Sequence, residues 1–406
     1  MADAGINVSA TPGGAEGNGP PHKIPLTSLF LSLLRLGLTA FGGPAMVAYI
    51  HDQAVNKKRW LSEEAFADGT ALCQSIPGAT AMQVAAYVGL RVRGTAGAFA
   101  TFVGFGLPAF VLMVVLSALY KTGRDLQPVA SSFRGLHVIV VALISNAAVT
   151  FGRRSIKNWR DAILACGAAV FLVLRGSPIL TIVASAAVGV FLYRGAVSKV
   201  ESARIPVPAP GRRIARLLVT AALAGAVILT VLYVANRPLF HLATVMLKVD
   251  LFAFGGGFAS VPVMLHQVVD VRKWMDSRTF MDGIALGQVT PGPIVITATF
   301  VGYQLGGWLG AVAGTVAIFS PSLFMVLITV PYVDRLQNSV LFRRALRGVL
   351  ASFVGLLLAV VVQFAMAIAW GGREIVLAVA ALAALGFKVD VLWVVLAGAA
   401  VSILVL

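Results

Sequence analysis

The feature that most narrows the fold is a duplication. Phe41-Gly42-Gly43-Pro44 recurs 213 residues later as Phe254-Gly255-Gly256-Gly257. At an offset of 214, Trp60 returns as Trp274, Asp68-Gly69 as Asp282-Gly283, Gln74 as Gln288 and Pro77-Gly78 as Pro291-Gly292. The offset falls back to 213 for Val88-Gly89 and Val301-Gly302, and for Pro108 and Pro321. A series this long and ordered is not chance, so the chain carries two copies of one unit.

The unit is apolar. Hydrophobic residues make up 59% of the 406 and charged residues 12%, against roughly 25% charged in an average soluble domain. Runs of the ~20 apolar residues that cross a ~30 Å hydrocarbon core are then unavoidable, which excludes a water-soluble enzyme. From Leu26 onward thirteen apolar segments follow, near 26–50, 64–90, 94–120, 134–152, 160–175, 178–194, 214–235, 239–266, 277–303, 306–332, 346–369, 373–387 and 389–406. The pair 160–175 and 178–194 is short enough to be a hairpin that does not fully cross. Six segments fall in each copy and 214–235 stands alone between them, so one extra crossing inverts the second copy. The expected fold is an all-α polytopic membrane protein of two inverted-topology repeats with discontinuous transmembrane helices. Its expected parts are a Gly- and Pro-rich disordered tail (1–25), an N-terminal repeat (26–200), a linker with one extra transmembrane helix (201–238) and a C-terminal repeat (239–406).

The net charge of +16 would suggest nucleic acid in a soluble chain. Here the cations sit between apolar runs, which is the positive-inside pattern. If every segment spans, loops on the N-terminal side hold 21 Lys and Arg against 9 opposite, giving a cytoplasmic N-terminus and an extracytoplasmic C-terminus. The run Lys57-Lys58-Arg59 then falls on the wrong side. Cys73 and Cys166 form no disulfide framework and no metal spacing, so neither a metal nor a cofactor is expected.

The breaks carry the chemistry. Gly42-Gly43-Pro44 interrupts the first segment and Pro77-Gly78 the second, and Gly255-Gly256-Gly257 and Pro291-Gly292-Pro293 repeat both interruptions. Proline removes an amide donor and glycine frees the backbone, and unwound chain survives at membrane depth only beside protein or an aqueous cavity. Ser62, and Asp276 in the copy, read as helix N-caps. Gln74 lies twelve residues on from Ser62, ~18 Å along a helix and near the middle of a ~30 Å core. Each restarting helix turns amide N–H groups and its positive dipole end toward the break, where an anion can sit.

Arg35 and Lys248 stand six residues before each Phe-Gly-Gly. A cation inside an apolar run costs at least ~2.5 kcal/mol, which favours a ligand or pathway role over snorkelling or pairing with Asp250. The expected substrate site is Arg35, Gly42, Gly43, Pro44, Gln74, Pro77 and Gly78 with Lys248, Gly255, Gly256, Gly257, Gln288, Thr290, Pro291 and Gly292. Amides, hydroxyls, helix ends and two cations suit a tetrahedral dianion. Asp68 and Asp282, a duplicated pair, are the candidates for proton coupling, against the plainer reading that they only pack helices together.

Phe41-Gly42-Gly43-Pro44, Trp60-Leu61 after the basic run, Ala71-Leu72-Cys73-Gln74 leading to Pro77-Gly78, Phe254-Gly255-Gly256-Gly257, Gln288 and Pro291-Gly292-Pro293 together resemble the chromate transporter (CHR) family, long-chain bidomain type. The resemblance runs from Leu26 to Leu406. It implies a bacterial inner-membrane exporter of chromate that also recognises sulfate, is driven by a chemiosmotic gradient and confers chromate resistance. Ala79 departs from the pattern, standing where the second copy has Pro293. Three functions are weighed: an alternating-access transporter, an oxyanion channel and a membrane-embedded enzyme. The chain has no Gly-x-x-x-x-Gly-Lys loop, no His-Glu-x-x-His and no ligand spacing among its five histidines, which argues against ATP-driven transport and zinc proteolysis. The expected partners are chromate, sulfate and the lipid bilayer, with no nucleic acid; a homodimer is left open.

Overall fold

The computed structural model describes residues 24–41, 45–123, 126–194, 212–332 and 339–405. The expected tail (1–25) falls almost wholly outside them, as do Gly42, Gly43 and Pro44. The first repeat comprises α1 (Leu26–Thr39), α2 (Ala45–His51, continued by a π turn Asp52–Lys57), α3 (Glu63–Ser75), α4 (Thr80–Gly123), α5 (Gln127–Ser155), α6 (Trp159–Val173) and α7 (Pro178–Leu192). After α8 (Arg212–Ala235) the same order returns as α9 (Arg237–Leu251), α10 (Ser260–Leu265, between a 3-10 turn Gly257–Ala259 and a π turn His266–Val271), α11 (Ser277–Val289), α12 (Thr297–Thr329), α13 (Val340–Ala367), α14 (Gly372–Gly386) and α15 (Val391–Val405). The predicted caps form: Ser62 accepts from the Ala65 amide at 3.3 Å and Asp276 from the Thr279 amide at 2.7 Å.

Among the described residues five helices are long and apolar enough to cross a membrane, but two of them fold back on themselves. At 44 residues, a straight α4 would reach ~66 Å, twice the ~30 Å core. Backbone dihedrals leave the helical region at Arg93 and Gly94, and again at Gly306 and Gly307 in α12. A Cβ on Gly89 would lie 2.2 Å from the Gly97 carbonyl oxygen, and one on Gly302 2.1 Å from that of Gly310. Each helix therefore has a short limb (80–92, 297–305) and a long limb (95–123, 308–329) packed backbone to backbone, which only glycine permits.

A second reversal lies at the Pro-Gly breaks. Tyr87 Oη donates to the Ala65 carbonyl at 2.9 Å. Its ring covers Gly69, as Phe300 covers Gly283 in the copy. Thus α3 and the short limb of α4 are antiparallel arms that meet at a tip, 76–79, and α11 and the short limb of α12 repeat this at 290–293. The segments 64–90 and 277–303 enter and return rather than span, which corrects the expected loop assignment. Chain reversal, not kinking, is the local consequence of Gly78 and Gly292, whose φ of 125° and 124° few other residues adopt.

The ends of the bundle can now be told apart. Leu239, at the start of α9, packs on Gly306, while Gln363 binds Asp270 and Arg278 binds the Ala367 carbonyl, each at 3.1 Å. These residues share one end, and α9 and α10 leave it and come back to it. At the other end Arg347 pairs with Asp161 at 3.0 Å, Tyr193 binds the same carboxylate, and Arg160 donates to the Leu192 carbonyl at 3.0 Å. The arm geometry brings Lys57, Lys58, Arg59, Arg91 and Arg93 to this second end, with Arg153, Arg154 and Lys157. The discordant basic run thereby joins the other cations.

The repeats are inverted. Phe102 meets Phe319 with ring centroids 6.3 Å apart, and Phe110 meets Trp308 at 5.7 Å. The numbers rise on one long limb as they fall on the other, so equivalent limbs run antiparallel. This is the arrangement expected from the unpaired crossing, supplied by α8.

Candidate functional site

The two tips meet the unwound stretches of the opposite repeat. The Gly78 amide donates to the Ala253 carbonyl at 2.9 Å, and the Gly292 amide to the Ala40 carbonyl at 3.1 Å. Residue 78 corresponds to 292 and 40 to 253, so these two bonds are one contact made twice about a pseudo-two-fold. The tips are held further on the first side: Gln83 Nε2 donates to the Pro77 carbonyl at 2.6 Å.

From this meeting point a cavity of about 1380 Å³ runs to the basic end. Its floor is formed by Gly255, Gly256 and Gly257, by Ala79, Thr80 and Ala81 at the start of α4, and by Pro293 and Ile294 beyond the other tip. Gly255 and Gly256 have φ of 93° and 104°. A Cβ on Gly255 would lie 2.5 Å from the Phe151 ring, and one on Gly257 2.9 Å from Ile294. Side chains are thus excluded by conformation and by space, leaving bare main chain at the floor. The first turn of α4 adds N–H groups that have no intrahelical acceptor.

Gln74 and Gln288, the duplicated pair, both line the cavity, and Gln288 Nε2 is buried without a hydrogen-bond partner. An unpaired buried donor costs about 1–3 kcal/mol, which a bound acceptor would return. The mouth carries Arg154, Lys157, Arg343 and Arg347 with His51 and Glu63. Arg347 is held by Asp161 and lies 4.4 Å over the Tyr193 ring. Such a passage attracts anions along its length and offers neutral amides at its floor.

Of the residues expected at the site, Asp68, Gln74, Gly255, Gly256, Gly257 and Gln288 are brought together in this cavity. Pro77, Gly78, Thr290, Pro291 and Gly292 are buried in the tips behind its wall, with Thr290 Oγ1 bonded to the Gly287 carbonyl at 2.9 Å. Arg35 and Lys248 are exposed and are not among the lining residues. Asp282 lies elsewhere: it is buried, with His137 Nε2 at 2.6 Å and the Tyr120 hydroxyl at 2.7 Å.

The sequence did not single out His137, Tyr120, Ser322, Gln83 or the mouth cations. His137 stands 145 residues from Asp282, and no local spacing encodes that distance. Among the described residues no cluster of His, Cys, Asp and Glu could hold a metal ion.

A family model described as chromate transporter matches residues 27–190 and, a second time, 240–403. An uncharacterised transporter of Methanocaldococcus jannaschii is 42% identical over 379 residues, 93% of this chain and 94% of its own length. A chromate transport protein of Pseudomonas aeruginosa is 31% identical, covering 88% of this chain and 84% of the relative. One of Cupriavidus metallidurans is 29% identical, covering 86% and 85% respectively. No solved structure matches.

Proposed function

We propose, since this chain belongs to the chromate transporter family, that it moves chromate across a bacterial inner membrane, out of the cytoplasm, by alternating access. The observation that carries this reading is the cavity that leads from the cation-lined mouth to the paired tips, where Gln74, Gln288 and the glycine run face one space. A tetrahedral dianion can take hydrogen bonds from all of these without needing a buried cation. Sulfate has the same shape and charge, so it belongs to the same proposal.

The cation-rich end is assigned to the cytoplasm by the positive-inside pattern. The N-terminus is then cytoplasmic. Gly398 packs on Ile139 and Gly135 on Ser402, so α15 runs antiparallel to α5 and the C-terminus is extracytoplasmic. On this orientation the described state is open to the cytoplasm, and Asp282, His137 and Tyr120 close the opposite side. Asp68 and Asp282, one on each side, are the proposed carriers of proton dependence.

Everted vesicles given radiolabelled chromate, with and without a proton gradient, test the reading. A coupled exporter accumulates chromate only with the gradient. Equilibration without accumulation would mean a channel, and no protein-dependent uptake would defeat transport altogether. Competition by sulfate, molybdate and phosphate then ranks the substrates.

A further inference from the structure

The junction between the repeats is not symmetric, and the odd group in it is a carboxylate. Asp250, at the end of α9, is wholly buried. Ser322 on α12 donates its hydroxyl to Asp250 Oδ2 at 2.7 Å and accepts the Ala79 amide of the α3–α4 tip at 2.8 Å. The other oxygen, Oδ1, has no partner. The elements packed round the carboxylate offer it a hydroxyl and main-chain groups, and among the described residues no charged or titratable side chain acts on it. Lys248 on the same helix is exposed.

The duplication supplies an internal control. The equivalents of Asp250, Ser322 and Ala79 are Gly37, Ala109 and Pro293: no carboxylate, no hydroxyl and no amide hydrogen. Yet the Gly292 amide reaches the Ala40 carbonyl as its counterpart reaches Ala253. The fold therefore builds the equivalent junction in the other repeat without the polar set. A buried, unpaired carboxylate is costly unless it takes up a proton. The bare Oδ1 has room in its hydrogen-bonding for one.

We propose that Asp250 is a proton-binding site of the transport cycle, linked through Ser322 to the tip that forms the cavity floor. This rests on the transport reading and adds a third, occluded carboxylate to Asp68 and Asp282 in its coupling. Because Asp250 is occluded, it can exchange its proton only when the tip 76–79 moves, so occupancy of the carboxylate and position of the tip depend on each other. Protonation removes the charge that draws the Ser322 hydroxyl, and the Ala79 amide loses a firmly oriented acceptor.

Asp250→Asn keeps the shape and the Ser322 bond but cannot titrate. In proteoliposomes it is expected to exchange internal for external chromate at the wild-type rate, with a weaker pH dependence, while losing accumulation driven by a pH gradient. Infrared difference spectra taken across a pH titration should lose a carboxylic-acid carbonyl band. Ser322→Ala should keep that band and weaken accumulation. Gradient-driven accumulation at the wild-type level in Asp250→Asn, or an unchanged band, would overturn the proposal. So would an inserted variant that loses exchange as well, since Asp250 would then serve the structure. If the wild-type protein moved no chromate, the functional reading would fall, and the infrared band alone would still decide whether Asp250 binds a proton.

Discussion

The two repeats share a backbone plan and differ where it matters for a cycle. In the second, Asp282 is enclosed by His137 and Tyr120. In the first, its counterpart Asp68 is exposed to the cavity. The position equivalent to His137 is Leu350, which lines that cavity and cannot hydrogen-bond. One side thus has a built latch, and the other has an open acid in a cavity whose wall carries leucine at the position equivalent to His137. Duplication gave both halves the same helices, and the two differ in a few contact residues.

The largest break in this comparison is expected from removing the latched acid. Asp282→Ala leaves His137 and Tyr120 without their buried partner, a loss of about 3–5 kcal/mol when the pair is charged. Asp68→Ala removes a solvated group and should stay within about 0.5 kcal/mol. Thermal unfolding of the two variants in detergent measures the difference. Equal shifts would mean that the acids share one environment, and the asymmetry argued above would be lost.

Next come the positions where the repeats should agree. Gly89→Ala and Gly302→Ala each push a methyl group into a facing carbonyl, and overpacking of this kind costs about 1–3 kcal/mol. The two variants should lose similar stability. If only one is sensitive, the paired glycine contacts are not equivalent and the two folded-back helices differ in ways the backbone does not reveal.

The duplication, the inverted relation and the breaks at Pro77-Gly78, Gly255-Gly256-Gly257 and Pro291-Gly292-Pro293 were legible because each rests on residue type at a repeated spacing. Pro77-Gly78 and Pro291-Gly292 announced a change of direction. They did not say that the chain would turn fully back, because that depends on Gly69 letting the Tyr87 ring lie against α3. The same uncertainty misplaced Lys57-Lys58-Arg59. Gln74 and Gln288 were singled out by duplication and by their expected depth along the helix, and both line the cavity. His137 and Ser322 were invisible, since their partners come from distant parts of the chain and neither position is repeated. Arg35 and Lys248 were marked by duplication too, but a helix in a bilayer has an outer face that spacing alone does not identify.

A smaller effect should follow from copying one junction onto the other. Ala79→Pro takes away the amide that Ser322 accepts, a net loss of about 0.5–1.5 kcal/mol. Adding Ser322→Ala and Asp250→Gly to that variant reproduces the Pro293, Ala109 and Gly37 junction, and stability should recover at least to the level of the single variant. A triple variant less stable than Ala79→Pro alone would show that the polar set holds the first tip in place.

The smallest change is expected at the matched cations. Arg35 and Lys248 lie outside the cavity, so neutralising them takes no contact from the substrate and should alter the free energy of its binding by about 0.5 kcal/mol or less. An Arg35→Gln, Lys248→Gln double variant should therefore transport chromate within about two-fold of wild type at equal expression, since 0.5 kcal/mol is about that factor. Their shared place in both repeats gives the experiment its force. If the inserted double variant were inactive, these helices would have to turn their basic faces inward at another stage of the cycle, and the substrate would then meet two cations as well as the amide-lined floor.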